Sequence, residues 1–257
     1  MTDAYETAIS DYIANVELGL DRPFDISLAE AELPPLTAKV KQAAVVDSDI
    51  VTYPENVPLE ARTAVANWTL LAQRAADHAV PDSEDREAWS RAYSDCSIKT
   101  GWTLREQAAA WREEKIYGST VHKEILKLLP VIPGPASTAL AIATVALTSL
   151  AKMDNESPWI TLLNRRGREA KSGGFQIANC TPGTTGRAVL EGADFVVYAE
   201  RRMTQVLFFK FESNTAKMGA RRVSHELSGN VIADHGKAVT DRVHKFVGDS
   251  IAAIEID

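Results

Sequence analysis

The spacing of apolar residues predicts a mainly helical first part of the chain. Residues 3–20 repeat apolar side chains close to the 3.6-residue period of an α-helix. The same period predicts helices over about residues 35–47, from Pro58 to about His78, after Asp82 or Ser83, and from Thr103 onward. Proline suits the first turn of a helix, which supports the assignment at Pro58.

Beyond residue 172 the pattern changes to strand-like segments. "GGFQIANC", residues 173–180, predicts a strand, and Phe195–Ala199 with Val206–Phe211 predicts a hairpin. Residues 215–228 predict a helix, and the segment from residue 234 to 256 predicts a last helix followed by a strand. We therefore predict an α-rich mixed α/β fold in one compact domain. Its helical part, residues 1–172, packs on a small C-terminal sheet with flanking helices, residues 173–257.

An uncharged segment of 24 residues runs from Leu128 to Ala151, between Lys127 and Lys152. Its length matches a membrane span, but three prolines interrupt its first third and leave about 17 residues for a regular helix. Those residues are mainly alanine, threonine and serine. Three readings stay open: a buried core helix, a membrane-inserting helix, and the wall of an acyl-chain pocket. In the last reading the lining residues are Leu140, Ile142, Val145 and Leu147.

The net charge of −7 disfavours nucleic acid as a partner. The N-terminus lacks the basic region and continuous apolar core of a cleaved secretion signal, which predicts a cytoplasmic protein with membrane association as an option. No motif for a metal or a nucleotide is present. The two cysteines exclude a disulfide framework, although one bridge stays possible.

Four cations follow the predicted start of a helix at Ser157 and Pro158: Arg165, Arg166, Arg168 and Lys171. One interpretation is a solvated helix end whose cations oppose the helix dipole. The other is a contact with an anionic surface, such as lipid headgroups or a phosphate. The order of Trp159, apolar residues and cations is typical of a membrane interface.

Trp89 and Tyr93 fall on the predicted helix after residue 83. Trp89, like the other tryptophans, is interpreted as an anchor of a helical core, with an aromatic ligand pocket as the alternative.

Cys180 is the sharpest chemical candidate, because it stands between a predicted strand and the turn "TPGTTG". Exposure and nearby positive charge would favour a reactive thiolate. The turn would then donate hydrogen bonds to an oxyanion, and His225, in "RRVSHELSG", is the best candidate for the base. The alternative is a small buried residue with no chemistry.

The chain resembles the Erwinia virulence factor (Evf) family. The resemblance rests on Cys180 in "FQIANCTPG", on the apolar "PASTALAIATVALTSLA", and on the strand-rich "DFVVYAERRMTQVLFFKFES". It implies a mixed α/β protein with a virulence role, whose late cysteine carries a palmitoyl thioester in an apolar cavity. Cys180 would be that cysteine, a palmitate-like acyl group the covalent cofactor, and a fatty acyl chain or acyl donor the partner.

Three functions follow as hypotheses. The leading one is an acyl-binding or S-acylated protein, in an enzymatic version an acyltransferase or thioesterase that uses Cys180. The second is a membrane-perturbing or pore-forming toxin component that inserts residues 128–151. The third is a soluble interaction protein without catalysis.

Overall fold

One mixed β-sheet organises the chain, with helices packed on both of its faces. This computed structural model describes residues 2–19, 33–81, 85–107, 112–115, 117–129, 137–154, 156–164, 171–199, 201–203, 205–212, 216–247 and 250–256. The predicted fold class, mixed α/β, is confirmed.

The described helices are α1 (Thr2–Asn15), α2 (Leu59–Ala79), α3 (Arg86–Lys99), α4 (Val121–Leu128), α5 (Ser137–Leu150), α6 (Pro158–Asn164) and α7 (Gly229–Val247). The described strands are β1 (Gln42–Val46), β2 (Asp49–Tyr53), β3 (Trp102–Gln107), β4 (Arg112–Lys115), β5 (Ser172–Pro182), β6 (Ala188–Tyr198), β7 (Lys217–Leu227) and β8 (Ile251–Glu255).

The sheet takes strands from both parts of the chain. Its order is β3-β7-β6-β5-β2-β1-β8, and β4 also pairs with β7. Strands β5, β6 and β7 form a long antiparallel meander, whereas the β2–β5 pair is parallel and joins the two parts. The sheet is therefore larger than the C-terminal sheet that the sequence pattern predicts.

Two helical layers cover the sheet, and side-chain alternation decides which residues meet which layer. The first layer comprises α1, α2, α3 and α7, and the second comprises α4, α5, α6 and loop residues 203 and 206–211. On β5, Phe175 and Ile177 pack with the second layer, while Ala178 and Cys180 pack with the first. The sheet thus separates two apolar cores.

Three predicted helices are strands in the structure, and those predictions were wrong. Residues 35–47 and the segment after them contain β1 and β2, the segment from Thr103 contains β3 and β4, and residues 215–228 contain β7. Strands β1 and β2 are buried at every position. A strand buried on both faces has a continuous apolar sequence, which its periodicity cannot distinguish from a helix.

The predicted hairpin is also corrected. Its first strand is real and belongs to β6, but β6 pairs with β5 and β7 rather than with residues 206–211. Phe209 and Phe211 are buried in the second layer outside any named strand, and the neighbouring Lys210 forms only an isolated bridge with Thr120. The alternating aromatic residues therefore fill the core from a loop.

Arg62 on α2 is fully buried and holds the chain around β1 and β2. Its guanidinium donates to the carbonyl oxygens of Val57, Val40 and Pro54 at 2.8–2.9 Å. It also donates to the carbonyl of Thr37 at 2.9 Å. Burial removes water from around the cation and therefore lowers the pKa of Arg62. The four carbonyl oxygens accept the hydrogen bonds that water would otherwise accept.

Candidate functional site

Cys180 lies in the interior of the protein. Its side chain is 0% exposed and packs in the core between the sheet and the first helical layer. Burial raises the pKa of the Cys180 thiol to about 12, and the nearby Arg62 guanidinium offsets only part of that rise. The thiol is therefore protonated and shielded from solvent in this structure, unlike an exposed thiolate nucleophile.

His225 is on the same face of the sheet as Cys180 but not beside it. Cys180 on β5 pairs with Leu190 on β6, and Leu190 pairs with His225 on β7. Adjacent strands are about 4.8 Å apart, so the backbones of β5 and β7 are about 10 Å apart at this row. That separation exceeds hydrogen-bond reach, and the Leu190 side chain lies between the two groups. The structure therefore does not bring the predicted nucleophile and base together.

The surroundings of His225 are those of a core residue. Its ring packs edge-on against Trp102 with centroids 6.0 Å apart, and 7% of the residue is exposed. Burial lowers the pKa of His225, which keeps the imidazole neutral near pH 7.

The turn after Cys180 docks on α7. Residues Thr184–Gly186 form an exposed 3₁₀ turn, in which Thr185 has a φ of 59°. A Cβ at Gly229, the first residue of α7, would lie 2.2 Å from the Thr185 carbonyl oxygen. Only glycine permits this close approach. The turn is exposed, whereas Cys180 is buried, so the predicted oxyanion donors lie on a surface away from the thiol.

Helix α5 lies across the sheet from Cys180, in the second layer. Of the predicted acyl-lining residues, Ile142 and Leu147 are buried, Leu147 in the core of the second layer, and Val145 is 40% exposed. Leu140 is half-buried beside a small space of about 20 Å³ between α5 and the sheet. That volume has room for about one water molecule. The four side chains therefore do not surround one acyl-sized cavity.

The outward face of α5 carries no charge. Ala141, Val145 and Thr148 are exposed, and Thr144 is half-buried. The hydroxyl of Thr144 donates to the carbonyl of Leu140 at 2.8 Å, and that of Thr148 donates to the carbonyl of Thr144 at 2.7 Å. This face therefore presents methyl groups to its surroundings, and its hydroxyl protons are already bonded.

Helices of the first layer differ in this respect. Ion pairs between residues four apart line their outward faces: Glu87 with Arg91, Asp95 with Lys99, and Asp241 with Lys237. Such faces are typical of helices that contact water.

The predicted basic cluster is only partly described. Arg165, Arg166 and Arg168 lie outside the described residues. Lys171 is exposed just before β5, and its carbonyl accepts a hydrogen bond from the Ala199 amide at 2.8 Å. Helix α6 ends at Asn164, whose side-chain oxygen accepts from the amide of Val206 at 2.6 Å.

A second cavity lies between α3 and the sheet, beside the helix for which the sequence left an aromatic ligand pocket as the alternative. Its lining includes Trp89 and Tyr93 from α3 and Gln176 and Asp194 from β5 and β6. The available signal was Gln176, a polar residue inside the apolar run "FQIA" of a buried strand, because a buried amide needs hydrogen-bond partners.

Two kinds of feature are absent from the residues that the structure describes. No group of three or more histidine, cysteine, aspartate or glutamate side chains is placed to hold a metal ion. Among the described helices, none combines the length and apolar character needed to cross a membrane.

Comparisons with known proteins include the following two weak structural similarities. No family model and no curated protein sequence matches this chain. A structure described as that of the Evf virulence factor is 10% identical, covers 87% of both chains, and has a TM-score of 0.35. A structure described as a delta-endotoxin is 10% identical, covers 81% of this chain and 89% of its own, and also has a TM-score of 0.35. The chain is thus weakly similar in structure to a virulence factor and to a toxin.

Proposed function

We propose that this protein associates with lipid and contacts a membrane surface through the outward face of α5. The observation that carries the proposal is the uncharged character of that face, compared with the ion-paired faces of the first helical layer. A helix that faces only water normally carries charged residues on its outward side.

Contact of this face with lipid costs little desolvation. The exposed groups are methyls, and the threonine hydroxyls already donate to the helix backbone. When such a face moves out of water, every hydroxyl proton keeps its acceptor in the helix backbone. Each methyl group that is buried in lipid lowers the free energy of the bound state. A charged residue there would reverse this balance, because its desolvation in hydrocarbon costs roughly 2–3 kcal/mol.

The proposed mode is surface association rather than spanning. Helix α5 has 14 residues and is therefore about 21 Å long, shorter than the hydrocarbon core of about 30 Å. Lys152 is exposed just after α5 and would add an electrostatic attraction to headgroup phosphates. The cations at residues 165–171 would add to this contact. The pore-forming alternative requires a longer apolar element than α5.

The experiment is vesicle co-sedimentation with Ala141→Asp. Ala141 is exposed, so the substitution places a carboxylate on the outward face without entering the core. We expect the partition coefficient to fall at least about tenfold on phosphatidylcholine vesicles, with or without phosphatidylglycerol. Ala146 would be a poor choice, because it is 0% exposed and an aspartate there would unfold the protein.

Ala233→Asp is the matched control. Ala233 is an exposed alanine on α7 in the first layer, four residues before Lys237. This variant should bind vesicles as the parent does. Equal losses in both variants, or a parent that does not sediment with either vesicle, would defeat the proposal.

Attachment of a fatty acyl group to Cys180 is a second candidate. It is supported by the apolar surroundings of the thiol, which would exclude water from a thioester. It also needs space, and neither of the two cavities described above is lined by Cys180. An acyl chain would therefore require the first layer to separate from the sheet, with Cys180 acylated before or during folding.

Intact mass spectrometry tests this second candidate. The acylated form predicts a mass increase of one fatty acyl group that hydroxylamine removes and that Cys180→Ser lacks. Cys96→Ser is the matched control, because Cys96 is also buried, and it should keep the adduct. Unmodified protein from its native host would rule out this candidate and leave the α5 proposal unaffected.

A further inference from the structure

We propose that the cavity between α3 and the sheet is a binding site for a small, flat, uncharged molecule that carries an N–H or O–H donor. We call it the α3 cavity. It is separate from the outward face of α5, because α3 belongs to the first helical layer and α5 to the second. The inference therefore does not depend on lipid association.

The walls of the α3 cavity are aromatic on one side and flat on the other. Trp89 and Tyr93 stack with centroids 5.4 Å apart, one turn apart on α3. The floor includes Gly174, where a Cβ would lie 3.4 Å from Cδ of Arg86. The Arg86 side chain therefore lies over Gly174 and forms this side of the cavity. A guanidinium group and an aromatic ring are both planar, which favours a planar ligand.

The donor requirement comes from Gln176. This residue lines the cavity and is 4% exposed. Its Nε2 donates to Oδ1 of Asp194 at 2.8 Å, and its backbone amide donates to Oδ1 of Asp49 at 2.8 Å. Because the carboxylate of Asp194 can only accept, the amide orientation is fixed, and Oε1 is left buried with no hydrogen-bond partner. A buried carbonyl oxygen in this state costs free energy, which a donor from a ligand would recover.

The charges around the cavity favour an uncharged ligand. Asp194 forms an ion pair with Arg221 at 2.9 Å, and the same guanidinium donates to the Ser90 hydroxyl. Arg86 and Asp49, both buried, add one cation and one anion to the lining. Two positive and two negative side chains therefore balance. A ligand with a net charge would add an uncompensated charge to a largely buried site.

The volume limits the ligand to a small molecule. The interior of the cavity is about 40 Å³ and opens to solvent through a mouth. The interior has room for the polar substituent of a ligand, whose ring would lie in the mouth against the aromatic wall, and it has no room for an acyl chain or a nucleotide.

The probe is benzamide, which combines a flat ring, no charge and amide N–H donors. Its binding is followed by NMR through the indole N–H of Trp89, which donates to Asp77 at 2.9 Å and is identified by its loss in Trp89→Phe. We expect a saturable shift in the millimolar range. N,N-dimethylbenzamide, which lacks the donor, should bind at least about tenfold more weakly, because it leaves Oε1 unpaired.

Two variants test the site from different sides. Gln176→Met removes the acceptor at similar volume and should weaken benzamide binding by about tenfold or more. Gly174→Ala adds a Cβ to the floor, keeps Gln176 intact, and should weaken both probes. No saturable shift with benzamide in folded parent protein, equal binding of the two probes, or unchanged binding in folded Gly174→Ala would overturn the proposal.

Discussion

Iodoacetamide should modify Cys180 in the native protein about a thousandfold more slowly than in the unfolded chain at pH 7.5. The thiolate is the reactive form. An unfolded cysteine has a pKa of about 8.5, whereas burial raises the pKa of Cys180 to about 12. The native thiolate population is therefore more than about a thousandfold lower, and full burial removes access as well. The measurement is the alkylation rate at Cys180 by peptide mass spectrometry, with and without denaturant.

Thr148→Cys provides the internal control, because residue 148 is exposed on α5. In that variant the introduced thiol should react at the rate of a free cysteine while Cys180 stays protected. Fast alkylation of Cys180 in the native protein would show that its thiolate is accessible. That result would contradict the assignment of Cys180 to the core and would support its role as a nucleophile.

The same pKa shift has a consequence for stability. The folded pKa of Cys180 is raised, so its contribution to stability is fully present below the unfolded pKa of about 8.5. It is lost as the pH rises from there towards about 12. Cys180→Ala should reduce this alkaline loss, which urea unfolding at pH 8 and pH 10 measures.

Arg62→Met should lower the free energy of unfolding by about 3–5 kcal/mol. The methionine side chain fills part of the volume but donates no hydrogen bond. The carbonyls of Thr37, Val40, Pro54 and Val57 would then lose their guanidinium donor. Each such loss in the interior costs roughly 1 kcal/mol or more. Urea unfolding followed by circular dichroism measures the change.

Arg91→Met is the matched control for Arg62→Met. Arg91 is an exposed arginine on α3 that pairs only with Glu87 four residues away. Its replacement should change stability by less than about 0.5 kcal/mol. Equal effects of the two substitutions would contradict the structural role of Arg62.

The elements that the sequence predicted best are those with local signals. The amphipathic period identified α1, α2 and α7, and the cap and acidic residues before Arg86 indicated α3, although the observed cap is Asp85. Strand β7 was read as a helix, since its sequence "KMGARRVSHEL" gives little alternation of apolar and polar residues. Its strand pairing comes from β6 and from β3 and β4, at long range in the sequence.

The candidate site shows the same division between local and long-range information. The strand around Cys180 was predictable, and alternation places Cys180 on the same face as Ala178. Which helical layer covers that face depends on how distant strands and helices pack. For that reason the acyl-pocket reading of the uncharged helix puts α5 beside Cys180, whereas the structure has them on opposite faces of the sheet.

The proposed lipid contact is tested most directly by a nitroxide label at Val145→Cys, with Ala233→Cys as the matched site on α7. Both positions are exposed, and the native cysteines are buried and should stay unlabelled. On addition of phosphatidylcholine vesicles containing phosphatidylglycerol, collisions with oxygen should increase at residue 145 and collisions with a water-soluble nickel chelate should decrease. Neither should change at residue 233. Unchanged collision rates at residue 145, or the same change at both residues, would contradict a lipid contact through α5.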